Sequence, residues 1–412
     1  MRISTNQIYE RGLSSLLIQQ QKASQLQERL SSGLRVESPE DDPIATAQIE
    51  LMNQRISTTE LLQKNRQNAV SALTLEEGIL GSTATALQRL REIQVQAANA
   101  SLSEDDRKSL AVEASNLLGQ LHDFANTKDV NGSYMFSGGQ AATQPFSLNS
   151  SGQYVYNGDS TQRYQAVSGN LQMAINDTGD DIFMRIFNGN GTFAISQTTI
   201  PPNAGTASVN TGSVVNPTAY VPDNYTMSFA LNSQGNLVVM VSGAVSGNVI
   251  PPTGLPDDAP LYQDGSSVSF NGMTMTVSGT PLPGDSFSIT PAQNESIFAT
   301  VQSMIANLNQ PYGTPVEKAA TLTQSNQLLA QLDSALNNVL NYQSDVGARL
   351  NQLDLANDVN TNLLLVSQET RKKLQENDPV AVATEYNLQL VNLQAAQQSF
   401  VRIQGLSVFH YM

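Results

Sequence analysis

The 412-residue sequence contains no cysteine and no tryptophan. Lack of cysteine excludes disulfides, a thiolate nucleophile and any cysteine-ligated metal. Histidine is almost absent as well, since His122 and His410 are the only two. No His-x-x-x-His pair, Glu-flanked metal helix or histidine-based triad follows from them, and His122, between Leu121 and Phe124, reads as a packed or surface residue. Charge is scarce: 14% of residues, against about a quarter in an ordinary globular chain. Of these, 36 are acidic and 21 are Lys or Arg, a formal net charge of -15. Nucleic-acid binding rests on Lys and Arg neutralising phosphate, so it is not expected. No run approaches the ~20 apolar residues of a membrane helix, so no membrane insertion is expected. Residues 1–21 also lack an unbroken apolar core and a small-residue cleavage site, which argues against a cleaved signal peptide.

The acids that do cluster have structural explanations. Asp41-Asp42 precedes Pro43 and suits a helix start, while Asp180-Asp181 and Asp257-Asp258 sit in turn-like contexts, where Asp bonds its own backbone. None has the spacing of an EF-hand loop. Asn188-Gly189-Asn190-Gly191 lacks the following Lys and helix of a phosphate cradle and reads as a tight turn. No catalytic residue, cofactor site or metal site is therefore expected, although two carboxylates alone can hydrolyse glycosides.

What is present is a chain whose ends resemble each other. Residues 1–128 and 293–412 are rich in Gln, Asn, Leu and Ala at helical spacing, and they bracket a block with β character. Between Asn131 and Thr290 lie 19 of the 27 glycines and 11 of the 17 prolines, with strand-like runs at Tyr154-Val155-Tyr156, residues 236–241 and Val268-Ser269-Phe270. From Gly138 to Pro291 the only basic residues are Arg163 and Arg185, so this block presents an acidic surface. The expected fold is α+β, a long antiparallel helical bundle or coiled coil built from both termini with an inserted β-rich domain. Residues 1–40 with 376–412 form a terminal helical domain, 41–137 with 291–375 a bundle, and 138–290 the outer insert.

The helical ends carry readable seams. Leu13, Leu16, Gln20, Ala23, Gln27, Leu30 and Leu34 fall at heptad positions, interrupted at Gly33. Asp42-Pro43-Ile44-Ala45 near the front is echoed by Asp378-Pro379-Val380-Ala381 near the back, and both read as an N-cap followed by Pro at the first helical position. Ser103-Glu104-Asp105-Asp106 resembles a capping box opening a third helix to about Lys128. Asn131-Gly132 suggests a hairpin. Helix resumes near Gln293, and the longest segment, from Thr314-Pro315, has a seam of Val339, Val346, Leu350, Leu353, Asn357, Asn360, Leu364 and Leu374. The last helix carries two apolar rows: Tyr386, Leu390, Leu393, Phe400 and Ile403, and beside it Leu388, Val391 and Ala395. A surface helix of a monomer needs one buried stripe, so two rows imply neighbours from other copies.

The stretch Glu28-Arg29-Leu30-Ser31-Ser32-Gly33-Leu34-Arg35-Val36, followed by Asp41-Asp42-Pro43, resembles the N-terminal signature of bacterial flagellins and their relatives. Three features resemble the hook–filament junction branch: the opening Met1-Arg2-Ile3-Ser4-Thr5, Pro43 after the paired Asp, and Asn131-Gly132 before Tyr134-Met135-Phe136-Ser137-Gly138. The ending, from Ala395-Ala396-Gln397 to Leu406-Ser407-Val408-Phe409, fits the same group. The resemblance implies a non-enzymatic, extracellular subunit that polymerises with copies of itself and contacts a neighbouring hook-associated protein and flagellin. It implies export unfolded through the flagellar type III channel without a cleaved signal, escorted by a chaperone at the C-terminal helix. The competing readings are a flagellin filament subunit and, from another class, a secreted adhesin or hydrolase carried by the insert. Because Gln20 and Gln27 weaken the first seam, residues 1–36 and 378–412 are expected to order together on assembly.

Overall fold

The computed structural model describes residues 5–99, 102–198 and 202–405. Among the described residues six α-helices occupy the two ends: α1 (Thr5–Ser32), α2 (Pro43–Ala97), α3 (Glu104–Ala125), α4 (Ile297–Leu308), α5 (Pro315–Gln375) and α6 (Pro379–Gly405). Strands and turns fill the interval between α3 and α4, which makes the fold α+β with an inserted β-rich region. The sequence features at Met1–Ser4, at Leu406–Phe409 and at His410 lie outside the described residues.

Helix starts follow the caps. Asp42 Oδ1 accepts from Ala45 N at 2.9 Å, Asp378 Oδ1 accepts from Val380 N at 2.9 Å, and Ser103 closes a capping box with Asp106. Helix ends and turns were harder to read. α3 stops at Ala125, short of Lys128, because the Asn126 side chain leaves the helix to bond both the N–H and the C=O of Phe146. The hairpin at Asn131-Gly132 is reduced to a single bridge between Lys128 and Tyr134, since Asp129 Oδ1 draws in the N–H groups of Asn131 and Ser133. α4 begins at Ile297 because Asn294–Glu295 pairs as a strand with Ile186–Phe187 and Ser296 caps the helix.

The chain forms two compact units. The first comprises the described residues up to 66, residues 167–170, and those from 355 onward. In it α1 and α6 lie antiparallel, with the Tyr9 and Phe400 rings 5.2 Å apart and Gln389 bonded to Gln19. The first part of α2 and the last part of α5 also run antiparallel: Arg371 donates to Asn53 at 3.4 Å, and Gln63 Nε2 donates to Asn357 Oδ1 at 2.5 Å. Asn360, buried, donates to Val167 O at 2.8 Å and Gln63 Oε1 at 3.3 Å. Both seam asparagines therefore pin register through defined partners.

The second unit comprises residues 67–166 and 171–354. Here Leu73, Leu80 and Leu87 repeat every seven residues along α2 with no exposure, and Val339, Val346 and Leu353 do the same along α5. Arg91 joins the two helices through Asp333 at 2.5 Å. The insert has a base and a sandwich. In the base, Phe136, Phe146 and Phe183 gather around Phe298 of α4, with ring centroids between 5.1 and 5.9 Å apart. In the sandwich, a five-stranded sheet runs in the spatial order Gly247–Ile250, Leu237–Gly243, Tyr225–Leu231, Ser286–Pro291, Phe193–Gln197. It shares one core with the sheet built around Met273–Ser278: Tyr225, Met227, Phe229, Phe287 and Ile289 meet Met273, Met275 and Val277. Alternate residues of each strand face that core, as the period of two requires.

Candidate assembly interface

The family-signature residues fold into a hinge where four helices meet. α1 ends because Gly33 takes φ +72°, with open space where a side chain would stand, so the demand for glycine there is one of backbone conformation. The chain then runs against the α5–α6 connection. Arg35 N donates to Gln375 O at 2.7 Å, Leu34 bridges Glu376, and Asn377 N donates to Gly33 O at 3.1 Å. Asn377 Nδ2 donates to Arg29 O at 2.6 Å and Leu34 O at 3.2 Å, closing two carbonyls at the end of α1.

Arg35 completes the lock. Its guanidinium donates to Leu374 O at 2.8 Å, at the C-terminal end of α5, and to Asp42 Oδ2 at 3.1 Å. Asp41 Oδ2 gathers Glu37 N, Ser38 N and Ser38 Oγ, and Arg29 approaches its other oxygen at 4.0 Å. Backbone N–H donors hold both carboxyls below their usual range, Ser38 foremost for Asp41 and Ala45 foremost for Asp42. The pairs are solvent-exposed and contribute little as ion pairs; their effect is to saturate helix ends. Below the hinge, Val36, Ala45, Ile49 and Leu374 form a small core.

The α1–α6 seam keeps Leu16 and Ala23 of the stripe laid on the sequence and shifts its other positions by one residue. It runs through Gly12, Leu16, Gln19, Ala23 and Leu26, while Leu13 and Leu30 are 39% and 38% exposed and Leu34 lies half-buried in the hinge. The small residue at Gly12 decides this, because a Cβ there would stand 3.1 Å from the Phe400 ring. On α6 the rows separate as their spacing implies: Tyr386, Leu390, Leu393 and Phe400 are half-buried against α1, while Leu388, Val391 and Ala395 face outward. The Ile403 side chain lies outside the described part. Further apolar residues stand exposed on every helix of this unit, including Leu17 and Ile18 of α1, Ile44 and Leu61 of α2, and Leu355 and Val359 of α5.

The remaining candidates are structural in place. His122 lies half-buried with its ring 5.4 Å from Tyr154. Asp180 and Asp181 both pair with Arg185, and Asp257 and Asp258 accept from Ser233 N and Thr253 Oγ1. In the tight turn, Asn190 Oδ1 accepts from Thr192 N and Phe193 N. Among the described residues no group of three His, Asp or Glu side chains is placed to hold a metal, and no helix is long and apolar enough to cross a membrane. Sequence reasoning missed Asn377 and the pairing of Gln19 with Gln389; an Asn immediately before the second Asp-Pro was the available signal.

Terminal helices that pair antiparallel around an inserted β region define a flagellin-like subunit, and residues 3–141 match the bacterial flagellin N-terminal helical region. The chain belongs to the flagellar hook-associated protein 3 family. It is 68% identical to the hook-associated protein 3 of Legionella pneumophila, whose crystal structure matches with a TM-score of 0.78 over 79% of this chain and 98% of that one. It is 27% identical to the flagellar hook-associated protein 3 of Escherichia coli K12, over 99% of both chains. By contrast a flagellar filament core protein of Treponema maltophilum, 38% identical, matches over 28% of this chain and 40% of its own length.

Proposed function

We propose that this chain is a structural, non-enzymatic subunit of the bacterial flagellum that joins hook to filament by polymerising through α1 and α6. The observation that carries the reading is the exposed second row of α6, Leu388 and Val391, together with Leu13, Leu17 and Leu30 of α1, on a helix pair that buries so little against itself. Apolar rows of this length favour burial by about 25 cal/mol per Å², and further copies of the chain supply the cover. The pair is accordingly marginal in the monomer and completed by assembly, with residues 1–40 and 376–412 acting as the inner domain. The partners are other copies, a neighbouring hook-associated protein and flagellin, and, before export without a cleaved signal, a chaperone on the C-terminal helix. The filament-subunit reading is less favoured, since the full-length relatives are hook-associated proteins and the filament core protein matches only in part.

In a strain lacking the gene, Leu388→Asp with Val391→Asp, or Leu30→Asp alone, should leave hooks without filaments while the variant is still made and the second unit melts as in the wild type. Normal filaments would overturn the reading. Labelled antibody should find the protein in few copies at the junction of detached flagella. Labelling along the whole filament would favour a filament subunit, and glycan or surface binding lost with the insert would favour an adhesin.

A further inference from the structure

The base of the insert is fastened to α2 and α5 by ionisable groups buried deeply enough to be costly. Glu76 of α2 and Asp177 of the insert are both fully buried. Glu76 Oε1 accepts from Asp177 N at 2.9 Å. Asp177 Oδ1 accepts from Arg349 of α5 at 2.7 Å and from Gln162 Nε2 at 2.7 Å. Arg163 of the insert also acts on Glu76, and Asp345 of α5 acts on Arg349. Around this contact Asn176, fully buried, donates to Met135 O and Gly138 O and accepts from Arg163 N, so the segment is tied to the aromatic base.

The hydrogen bonding is unequal. Asp177 receives a guanidinium and an amide, whereas Glu76 receives one backbone N–H. Glu76 Oε2, Asp177 Oδ2, Arg163 Nε and Arg349 Nη1 are all buried and have no hydrogen-bond partner. A buried anionic oxygen without a donor carries a desolvation cost that a proton removes. Of the two carboxyls, Asp177 has the charged partner, so Glu76 is the one that takes the proton.

We propose that the Glu76–Asp177 contact is a proton-operated latch: it holds the insert base on α2 and α5 while Glu76 is protonated, and loosens when alkali removes that proton. Burial, followed by the Asp177 charge, pushes the Glu76 carboxyl up from its ordinary 4.5 to about 8. The sign follows from linkage. Below pH 4.5 folded and unfolded chains both hold the proton and the contribution to stability is full. Between 4.5 and 8 only the folded chain holds it, so stability falls as pH rises, and above 8 the contribution is lost. Folding of the second unit near neutrality is thus coupled to uptake of a proton at this residue, a property independent of the assembly reading.

The test is urea unfolding of the purified full-length protein between pH 5 and 9, for wild type and Glu76→Gln. Gln keeps the acceptor for Asp177 N–H and cannot ionise. The wild-type unfolding constant should rise, relative to the variant, by up to tenfold per pH unit through the window, and the difference should level off above pH 8. Parallel pH profiles would overturn the latch. Should the variant fail to fold, hydrogen exchange of the wild type, corrected for the intrinsic pH dependence, decides. Protection over residues 175–184 should fall as pH rises from 5 to 8 and level off above it; protection that does not change through this window would overturn the proposal.

Discussion

Arg107 is 1% exposed, and among the described residues no carboxylate pairs with it. Its guanidinium donates to Ala97 O at 2.9 Å, to Asn307 O at 3.0 Å and to Asn307 Oδ1 at 3.2 Å, and it lies 4.4 Å from the centre of the Tyr312 ring. Two helix C-termini, those of α2 and α4, thus converge on one cation, where the helix dipoles favour positive charge. A lysine keeps the charge but not the planar fork that reaches both carbonyls. Arg107→Lys should therefore destabilise the second unit by about 3 kcal/mol, two charge-assisted bonds at ~1.5 kcal/mol each, read as a lower urea midpoint with unchanged slope. Nothing local in the Glu-Asp-Asp-Arg-Lys opening of this helix marks Arg107 for burial. Its burial depends on α4, about 200 residues away, whose arrival no local pattern announces.

At the scale of elements the hinge is the informative case. Two Asp-Pro starts were readable as caps, because a carboxylate three residues before a free N–H and a proline at the first turn are local chemistry. What joins them was not local: Asn377 closes α1, and Arg35 closes α5, across more than 300 residues. Asn377→Ala removes two side-chain bonds and leaves the Arg29 and Leu34 carbonyls without them. The expected result is a loss of about 1 to 3 kcal/mol at the hinge, seen as faster hydrogen exchange in α1 and α6 while α3 and α4 are unchanged. Exchange in α1 and α6 unchanged from the wild type would show that the clasp does not stabilise the terminal pair. The α1 register teaches the same lesson. Leu30 and Leu13 looked like seam residues by hydrophobicity, but a close helix approach selects Gly12, and these two leucines are left outward.

For the whole molecule, the insert reads in the sequence as one block from 138 to 290, and the packing divides it. Its base belongs with the helices, through Phe146 and Phe183 on Phe298 and Asp177 on Glu76. The sandwich begins after a closed neck, where Asn188 N donates to Gln293 O at 2.9 Å and Gln293 N donates to Asn188 Oδ1 at 3.0 Å. Two deletions should therefore behave differently. Joining Asn188 to Gln293 by a short glycine link should leave the helices and base folded and filament growth intact. Removing residues 139–290 should strip the aromatic base, expose Phe298 and Glu76, and lower the thermal midpoint of the remaining unit markedly. Similar circular dichroism melts for the two deletions would show that the base is not part of the helical core.

The sequence by itself determined the helical ends, their caps, the heptad row of α5 and the β character of the middle. Each of these rests on residue spacing or on which side chains exist at all. Only the tertiary structure decided which residues of α1 meet α6, where the insert divides, that Arg107 is buried and which buried carboxyl lacks a charged donor. Those depend on surfaces far apart in the chain closing on one another, and the free energy of a buried polar group is set by what arrives beside it.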